Sequence, residues 1–422
     1  LYSQLKQHER AIALIRKSLE LSPHQSHFHY NLGNALLIAQ QPQAALESYD
    51  ASIALQPKFA TAHYNRGNAF KALLRPQEAA VCYAQAIALQ PDYKEAYWNQ
   101  SVAHLLAGEY SAGWRLFEWR WTCGVLEGAQ GQFPNPLWLG KESLQGKIIL
   151  LHSEQGIGDT FQFCRYLPRV KALGAQVMLA VEPHLLGIMA SLTDVDVLLN
   201  KEDQPMPYFD FHCPLLSLPL ALGCFSEQAL VTDVPYLFAP SDRILTWRNR
   251  LRAPNKPRVG LVWQSGVRKD LPQEVHQANS RRNIGFNMMA SLNRPEIDFY
   301  SLQKGEPAES ELLAIKNQCW VGDNLHIYVT DIEDFSDTAA FIEQLDLVIS
   351  VDTSVVHLAG AMGKPVWLLA RYEACWRWLL DRNDSPWYPT MRIFRQRQLD
   401  DWESAIAEVK LALAQWYQEQ NR

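Results

Sequence analysis

Short apolar runs mark the chain from residue 147 onward, and stretches with helical spacing separate them. Runs of this kind, with little polar alternation, are typical of strands buried on both faces of a parallel sheet. The strands predicted in this way are residues 147–153, 175–181, 196–200, 258–263, 298–303, 326–330, 346–351 and 365–370. Their β-α-β alternation restarts once and so predicts two Rossmann-like α/β lobes, residues 126–240 and 241–422. An amphipathic run at 401–418 predicts a helix that closes the second lobe.

The first part of the chain repeats with a period of 34 residues. Three columns share that period: Pro23, Pro57 and Pro91; Asn31, Asn65 and Asn99; Tyr30, Tyr64 and Trp98. These columns resemble the tetratricopeptide repeat, and the resemblance implies an α-solenoid of helix hairpins, each ended by proline. Because the first repeat lacks most of its first helix, we expect further repeats upstream.

A tryptophan-rich segment, GWRLFEWRW at 113–121, follows the repeats. It predicts a capping helix that is buried against the next domain, which gives the solenoid the boundaries 1–125. A platform on which a sugar stacks is the alternative interpretation.

Asparagines recur one helical turn apart on the first helices of successive repeats. They are Asn31, Asn34, Asn65 and Asn68. The columns look similar to the asparagine ladder with which the repeats of the O-GlcNAc transferase hold peptide backbone. That resemblance implies a protein or peptide acceptor bound by the repeats. Amides that pack helices together or face solvent are the alternative.

The composition narrows the class of protein. A net charge of -6 argues against a nucleic-acid surface or an anionic membrane as partner. Seven cysteines without a C-x-x-C pair suit a reducing compartment, so we expect a cytoplasmic protein. No apolar run is long enough to span a membrane.

The first candidate for chemistry is the loop GIGD (156–159), between a predicted strand and a helix expected to begin at Thr160. Glycines there let backbone approach a ligand, and Asp159 could either act as a base or cap the helix. The segment HSEQGIGDTFQFCRYLP resembles the first-lobe loop of heptosyltransferase-like enzymes, which implies that Asp159 is the general base. His152 and Glu154 are the reserve candidates, on the acceptor side.

The second candidate is VDTSVVHLAGAMGKP (351–365), a buried strand that leads into a helix. Free N–H groups of that helix, with the hydroxyls of Thr353 and Ser354, could hold a diphosphate without a metal ion. The segment resembles the donor-binding Asp-Thr-x-x-x-His-Leu of heptosyltransferase-like enzymes. The resemblance assigns Asp352, Thr353, Ser354 and His357 to the donor, and a helix cap alone is the alternative.

Supporting side chains follow other predicted strands, and the resemblance implies that they also contact the donor. They are Ser265, Gly266, Arg282, Gln303 and Lys304. Gln303 could bond the base or ribose, and Arg282 or Lys304 could neutralise phosphate charge. Solvated or packing residues are the alternative for each.

The chain departs from the family pattern after Gly266. Residues 267–278 stand where a shorter loop is expected, and Asn283 stands where serine is usual, which puts donor contacts there in doubt. The segment WRWLLDRNDSPWYP (376–389) resembles a signature of bacterial proteins that join tetratricopeptide repeats to a heptosyltransferase-like module. That resemblance implies that Trp376 and Arg377 border the donor pocket.

Together these features predict a tetratricopeptide-repeat α-solenoid followed by two Rossmann-like lobes, the GT-B architecture of glycosyltransferases. The expected function is metal-independent transfer of a sugar from an ADP- or UDP-linked donor. The D-x-D at Asp194 and Asp196 lies where a helix turns into a strand, so we expect no metal and no cofactor. A lipid-linked or surface glycan as acceptor, or an inactive repeat scaffold, remains open.

Overall fold

The computed structural model describes residues 2–123, 133–251, 255–266, 280–373 and 375–420. These residues form two compact units. The first unit contains residues 2–123 together with Cys224–Gln228 and Cys375–Leu380, and the second contains the remaining described residues.

The first unit is built from helix hairpins. Its helices are Tyr2–Leu21, Ser26–Ile38, Pro42–Leu55, Ala60–Ala72, Pro76–Leu89, Lys94–Leu106 and Tyr110–Phe117, and a 3₁₀ turn follows at Glu118–Thr122. Pro42 and Pro76 stand in the first turn of their helices, where the missing N–H costs nothing. The predicted helical repeats are confirmed.

Two glycines allow the helices of a hairpin to approach closely. A Cβ atom on Gly33 would lie 2.5 Å from the Tyr49 ring, and one on Gly67 would lie 2.6 Å from the Tyr83 ring. Because the two contacts are one repeat apart, they explain why glycine and tyrosine recur at this period.

Part of the tryptophan-rich signature packs inside the first unit. Trp376 is 7% exposed and meets Trp114 edge to face, with 5.3 Å between the ring centroids. The Arg377 guanidinium carbon lies 4.3 Å from the centroid of the Trp376 ring. Trp376 thus packs against the helix Tyr110–Phe117 and Arg377 packs over Trp376, and the expectation that they border a donor pocket stays a prediction.

The first sheet of the second unit has four parallel strands in the order β3-β2-β1-β4. The strands are β1 (Ile148–His152), β2 (Gln176–Val181), β3 (Val197–Asn200) and β4 (Phe211–Pro214). Short helices connect them: Ile157–Phe163, Leu167–Lys171, Leu186–Met189 and Leu218–Ala221.

The second sheet has six parallel strands in the order β10-β9-β8-β5-β6-β7. The strands are β5 (Arg258–Val262), β6 (Asp298–Ser301), β7 (Leu325–Ile327), β8 (Leu347–Val351), β9 (Val366–Ala370) and β10 (Met391–Arg395). Its helices are Ser241–Leu251, Phe286–Met289, Ala308–Cys319, Phe335–Glu343, Ser354–Ala361 and Trp402–Gln420.

The strand order creates one switch point in each sheet. In the first sheet it lies between β1 and β4, and in the second between β5 and β8. Sheets of this type bind ligands beyond the carboxyl ends of the strands at such points. The predicted parallel α/β lobes are confirmed, and the loops after β1, β5 and β8 are the places to look for chemistry.

No described helix is both long and apolar enough to cross a membrane.

Candidate active site

The loop after β8 presents a helix N-terminus at the switch point of the second sheet. Thr353 has extended backbone (φ -137°, ψ 174°) and precedes the helix Ser354–Ala361. Its hydroxyl lies 3.2 Å from the Ser350 hydroxyl, and no side chain among the described residues caps the helix. The first N–H groups of this helix therefore face the loop, an arrangement that favours anions.

The loop after β5 is held in place by two side chains from other segments. Asn283 Oδ1 accepts hydrogen bonds from the Ser265 N–H (2.9 Å) and hydroxyl (3.1 Å). Gln303 Oε1 accepts from the N–H groups of Trp263 (3.1 Å) and Gln264 (2.9 Å), while its Nε2 donates to the Gln264 carbonyl (3.1 Å). Gln303 is 2% exposed, and its amide holds the loop. This contradicts the expectation that Gln303 bonds the base or ribose of the donor. Residues 267–278 lie outside the described residues.

The two basic residues of this region point to different loops. Arg282 Nη1 donates to the Asp352 carbonyl at 2.9 Å, which places the guanidinium at the β8 loop. Lys304 Nζ instead donates to the carbonyls of Val329 (3.4 Å) and Ile332, which follow β7. Arg282 is therefore a cation at the switch point, and Lys304 stabilises a neighbouring turn. Gly266 is exposed at the end of the described β5 loop.

His357 lies behind the β8 loop and is 5% exposed. Its Nδ1 is 2.9 Å from the Tyr388 hydroxyl, and its Nε2 is 4.0 Å from Asp352 Oδ1. The imidazole thus contacts a phenol and faces a carboxylate. This geometry favours a supporting position over direct contact with a phosphate.

Asp159 stands in the first turn of a helix that begins earlier than expected. The helix runs Ile157–Phe163 with Gly156 as its N-cap, and the start expected at Thr160 is wrong. The glycines hid this start, because they are poor helix formers. Asp159 Oδ2 accepts a hydrogen bond from the Gly156 N–H at 2.9 Å. Asp159 therefore does cap backbone, and the same bond orients its carboxylate.

The GIGD loop of the first lobe lies against the helix Ser354–Ala361 of the second lobe. This helix directly follows strand β8 and is called the β8 helix below. A Cβ atom built on Gly158 would be only 2.6 Å from His357 Cδ2. Glycine is needed here because the imidazole occupies the space of a side chain. The contact places Gly158, the residue before Asp159, against the helix that begins at Ser354.

The acceptor-side candidates are engaged with first-lobe neighbours. His152 Nε2 lies 3.2 Å from His212 Nδ1, and the Phe133 ring centroid is 5.1 Å from each imidazole centroid. Burial lowers the pKa of His212. Glu154 Oε1 accepts from the Leu216 N–H at 3.2 Å, so this carboxylate holds a neighbouring turn.

A polar cluster that the sequence analysis missed follows three adjacent strands. Ser153, Glu182 and Lys201 come directly after β1, β2 and β3. The Ser153 hydroxyl donates to Glu182 Oε2 at 2.9 Å, and Lys201 Nζ pairs with Glu182 Oε1. Burial has the largest single effect and opposes ionisation of Glu182, but the hydrogen bonds from Lys201, the backbone and Ser153 and the charge of Lys201 together lower the pKa. The signal was available, since Ser153 ends a predicted strand and Glu182 and Lys201 immediately follow the next two.

The asparagines of the repeats bond to each other and to tyrosines. The bonds are Asn65 Nδ2 to Tyr30 (3.0 Å) and Asn34 (2.9 Å), Asn68 Nδ2 to Asn65 (3.2 Å), Tyr49 to Asn34 (2.8 Å) and Tyr83 to Asn68 (2.8 Å). Asn31 is exposed. Within the described bonds, both N–H groups of Asn34 Nδ2 stay available to a partner, whereas Asn68 bonds both Asn65 and Tyr64. The ladder is thus a network with a few remaining donors.

The D-x-D sequence ends at Asp196, directly before strand β3, and bonds within the first lobe hold this carboxylate. Asp196 Oδ2 accepts from the Val177 N–H at 2.7 Å and pairs with Lys171. Among the residues that the structure describes, no group of three or more His, Cys, Asp or Glu side chains could hold a metal ion.

Comparison with known proteins covers both parts of the chain. Tetratricopeptide-repeat families match residues 1–60 and 60–93. Protein FlbA of Caulobacter vibrioides is 27% identical over 332 residues, which cover 73% of this chain and 53% of FlbA. The chain therefore spans about half the length of that curated relative.

Two solved structures illustrate the structural similarity. A glycosyl transferase family 9 protein from Veillonella parvula aligns with 64% of this chain and 91% of its own, at 11% identity and a TM-score of 0.45. The crystal structure of MamA aligns with 28% of this chain and 69% of its own, at 24% identity and a TM-score of 0.27. By the family matches, residues 1–93 are tetratricopeptide repeats, and two parallel α/β sheets follow them in the chain.

Proposed function

We propose that this protein is a glycosyltransferase that transfers a sugar from a nucleotide-diphosphate donor and needs no metal ion. One arrangement carries the proposal. At the β5/β8 switch point, a helix N-terminus without a side-chain cap, the hydroxyls of Thr353 and Ser354, and the Arg282 guanidinium lie on neighbouring segments. N–H groups and a guanidinium suit the two phosphates of such a donor. They would also stabilise the charge that develops as the nucleotide leaves.

Asp159 is the proposed general base. The acceptor hydroxyl would give its proton to this carboxylate while its oxygen attacks the anomeric carbon of the sugar. The bond between that carbon and the diphosphate oxygen breaks in the same step, so the nucleotide diphosphate leaves and the anomeric configuration inverts. Support comes from the GIGD loop, which rests on the helix that begins at Ser354. Asp352 lies beside that helix, where its carboxylate suits hydroxyl groups of the donor rather than phosphate.

The proposed acceptor is a protein or peptide bound by the repeats. The exposed Asn31 and the remaining N–H donors of Asn34 support it, because extended peptide backbone offers carbonyl acceptors.

The test combines binding with turnover. Purified protein is heated with ADP, UDP, GDP and their sugar conjugates, and a ligand that binds the folded state raises the melting temperature. The nucleotide sugar that stabilises most is then incubated with protein and candidate peptides, and transfer is followed by the mass of the modified peptide. We expect activity to survive excess EDTA. Loss of activity that manganese restores would contradict the metal-free mechanism, and the absence of any nucleotide shift would contradict the donor site.

A further inference from the structure

Tyr388 is a fully buried residue whose hydroxyl reaches the β8 helix. The hydroxyl is 2.9 Å from His357 Nδ1, and the two rings meet edge to face. Gly360 lies one turn after His357, and a Cβ there would be 2.6 Å from the Tyr388 ring. The Ser385 hydroxyl accepts from the backbone N–H of Tyr388 at 3.2 Å and so fixes the loop that carries it. The Tyr388 ring and hydroxyl therefore have little freedom to move.

A buried cation lies over the same phenol. The Arg165 guanidinium carbon is 4.6 Å from the centroid of the Tyr388 ring and 4.8 Å from that of Tyr236. Its N–H groups donate to the carbonyls of Gln162, Val231 and Trp387 and to the Tyr236 hydroxyl, at 2.6 to 2.8 Å. Carbonyls, a hydroxyl and aromatic faces thus surround this charge.

The cation decides the direction of the hydrogen bond to His357. A positive charge beside a phenol polarises its O–H bond and makes it a better donor, so this arrangement favours donation from Tyr388 to Nδ1. Nδ1 is then the acceptor, and the ring proton resides on Nε2. Nε2 is the atom that faces Asp352 Oδ1, and Cδ2 beside it is the atom on which Gly158 rests. The same ring orientation and tautomer therefore direct Nε2 toward Asp352 in the loop after β8 and place Cδ2 against Gly158 in the GIGD loop.

We propose that Tyr388 is a positioning residue for the transfer reaction, a role that rests on the proposed function. Its hydroxyl holds His357 in the tautomer with the proton on Nε2. The imidazole in turn supports Asp352 on one side and the loop of Gly158 and Asp159 on the other. Tyr388 does not touch the reacting atoms in this scheme.

The test is Tyr388→Phe, which removes the hydroxyl and keeps the ring. The matched control is Tyr236→Phe, which removes a hydroxyl that bonds Arg165 (2.8 Å) and the Phe161 carbonyl (2.8 Å) from the same cluster. Protein labelled with ¹⁵N-histidine reports the tautomer of each imidazole by NMR, and His357→Gln identifies the His357 signals. Steady-state kinetics with the donor found in the binding screen give kcat and KM.

We expect wild type and Tyr236→Phe to show His357 with its proton on Nε2, and Tyr388→Phe to show a mixture of tautomers. With Tyr388→Phe, kcat should fall at least tenfold while the donor KM changes less than threefold. Tyr236→Phe should lower the melting temperature at least as much, yet keep kcat within twofold. An unchanged tautomer in Tyr388→Phe, or equal losses of kcat in both variants, would overturn the positioning role. Wild-type protein without transferase activity would refute the proposed function, while the NMR comparison would still decide the tautomer.

Discussion

Gly158→Ala tests the contact between the two lobes, because helix propensity and packing predict opposite results. Gly158 lies within the helix Ile157–Phe163, where alanine is favoured over glycine by about 1 kcal/mol. Against this, the added methyl would lie 2.6 Å from His357 Cδ2, well inside the 3.4 Å at which ordinary contact begins. The imidazole cannot easily move aside, because it is buried and bonded to Tyr388.

The two effects have different magnitudes. Forcing an extra methyl into a packed site costs about 1–3 kcal/mol. The larger part of that range applies here because the neighbour is a ring with a fixed partner, so the net loss is about 1–2 kcal/mol. For a protein of this size we expect the melting temperature to fall by about 1–3 °C. Nucleotide binding should weaken as well, since the same ring supports Asp352.

Gly266→Ala is the matched control, since its added Cβ meets no described atom within 4 Å. Both variants and wild type are compared by thermal unfolding, and Gly158→Ala and wild type are also compared by calorimetry with the nucleotide diphosphate that binds in the screen. Gly266→Ala should melt within about 1 °C of wild type, because surface substitutions rarely change stability much. If Gly158→Ala melts at or above wild type, helix propensity dominates, and the close packing of the GIGD loop on His357 is refuted.

Three further predictions follow. Asp159→Asn should abolish transfer and leave donor affinity within a few-fold, because an amide oxygen can still accept from the Gly156 N–H but cannot take a proton; near-full activity would remove Asp159 from the mechanism. Replacing Thr353 by Val and Ser354 by Ala together should weaken nucleotide diphosphate binding at least tenfold by calorimetry, since each hydrogen bond to a charged group is worth about 1.5–3 kcal/mol; unchanged affinity in a folded variant would put the donor elsewhere. Folding lowers the pKa of Glu182 below 4.5, so its contribution to stability is present above that pH and is lost as pH falls through the lowered value. Urea unfolding should therefore show a smaller loss of stability on acidification for Glu182→Gln than for wild type, and equal losses would contradict the pairing with Lys201.

The strands of both sheets were predictable wherever burial on two faces produced a continuous apolar run. All eight predicted strands are present, each within three residues of its expected bounds. The two that were missed break that pattern for physical reasons. β4 contains His212 and ends in a proline, and β10 lies at the sheet edge with Arg392 exposed between apolar neighbours. Neither strand therefore has the continuous apolar run by which the other strands were recognised.

The sequence predicted which loops form the candidate site, but it did not predict which hydrogen bonds their side chains make. Asp352, Thr353 and Asp159 could be found because each follows a buried strand of a parallel sheet. The roles of Gln303 and His357 could not, because their partners lie far away in sequence: Gln264 is 39 residues from Gln303, and Tyr388 is 31 from His357. No periodicity links such pairs. Only the folded chain shows that Gln303 is used to hold a loop.

The repeats show how a regular column can have a structural cause and still leave a binding surface. The hydrogen bonds between tyrosine and asparagine recur one repeat apart: Asn65 to Tyr30 and Asn99 to Tyr64, then Tyr49 to Asn34 and Tyr83 to Asn68. Internal bonding therefore accounts for the period of 34 without any partner. The same bonds fix the amides in one orientation, so a peptide that accepts from the remaining N–H groups would pay little to order them. The regular columns are thus evidence for a rigid surface, while support for a bound peptide rests on the exposed Asn31 and on the Asn34 donors that the network does not use.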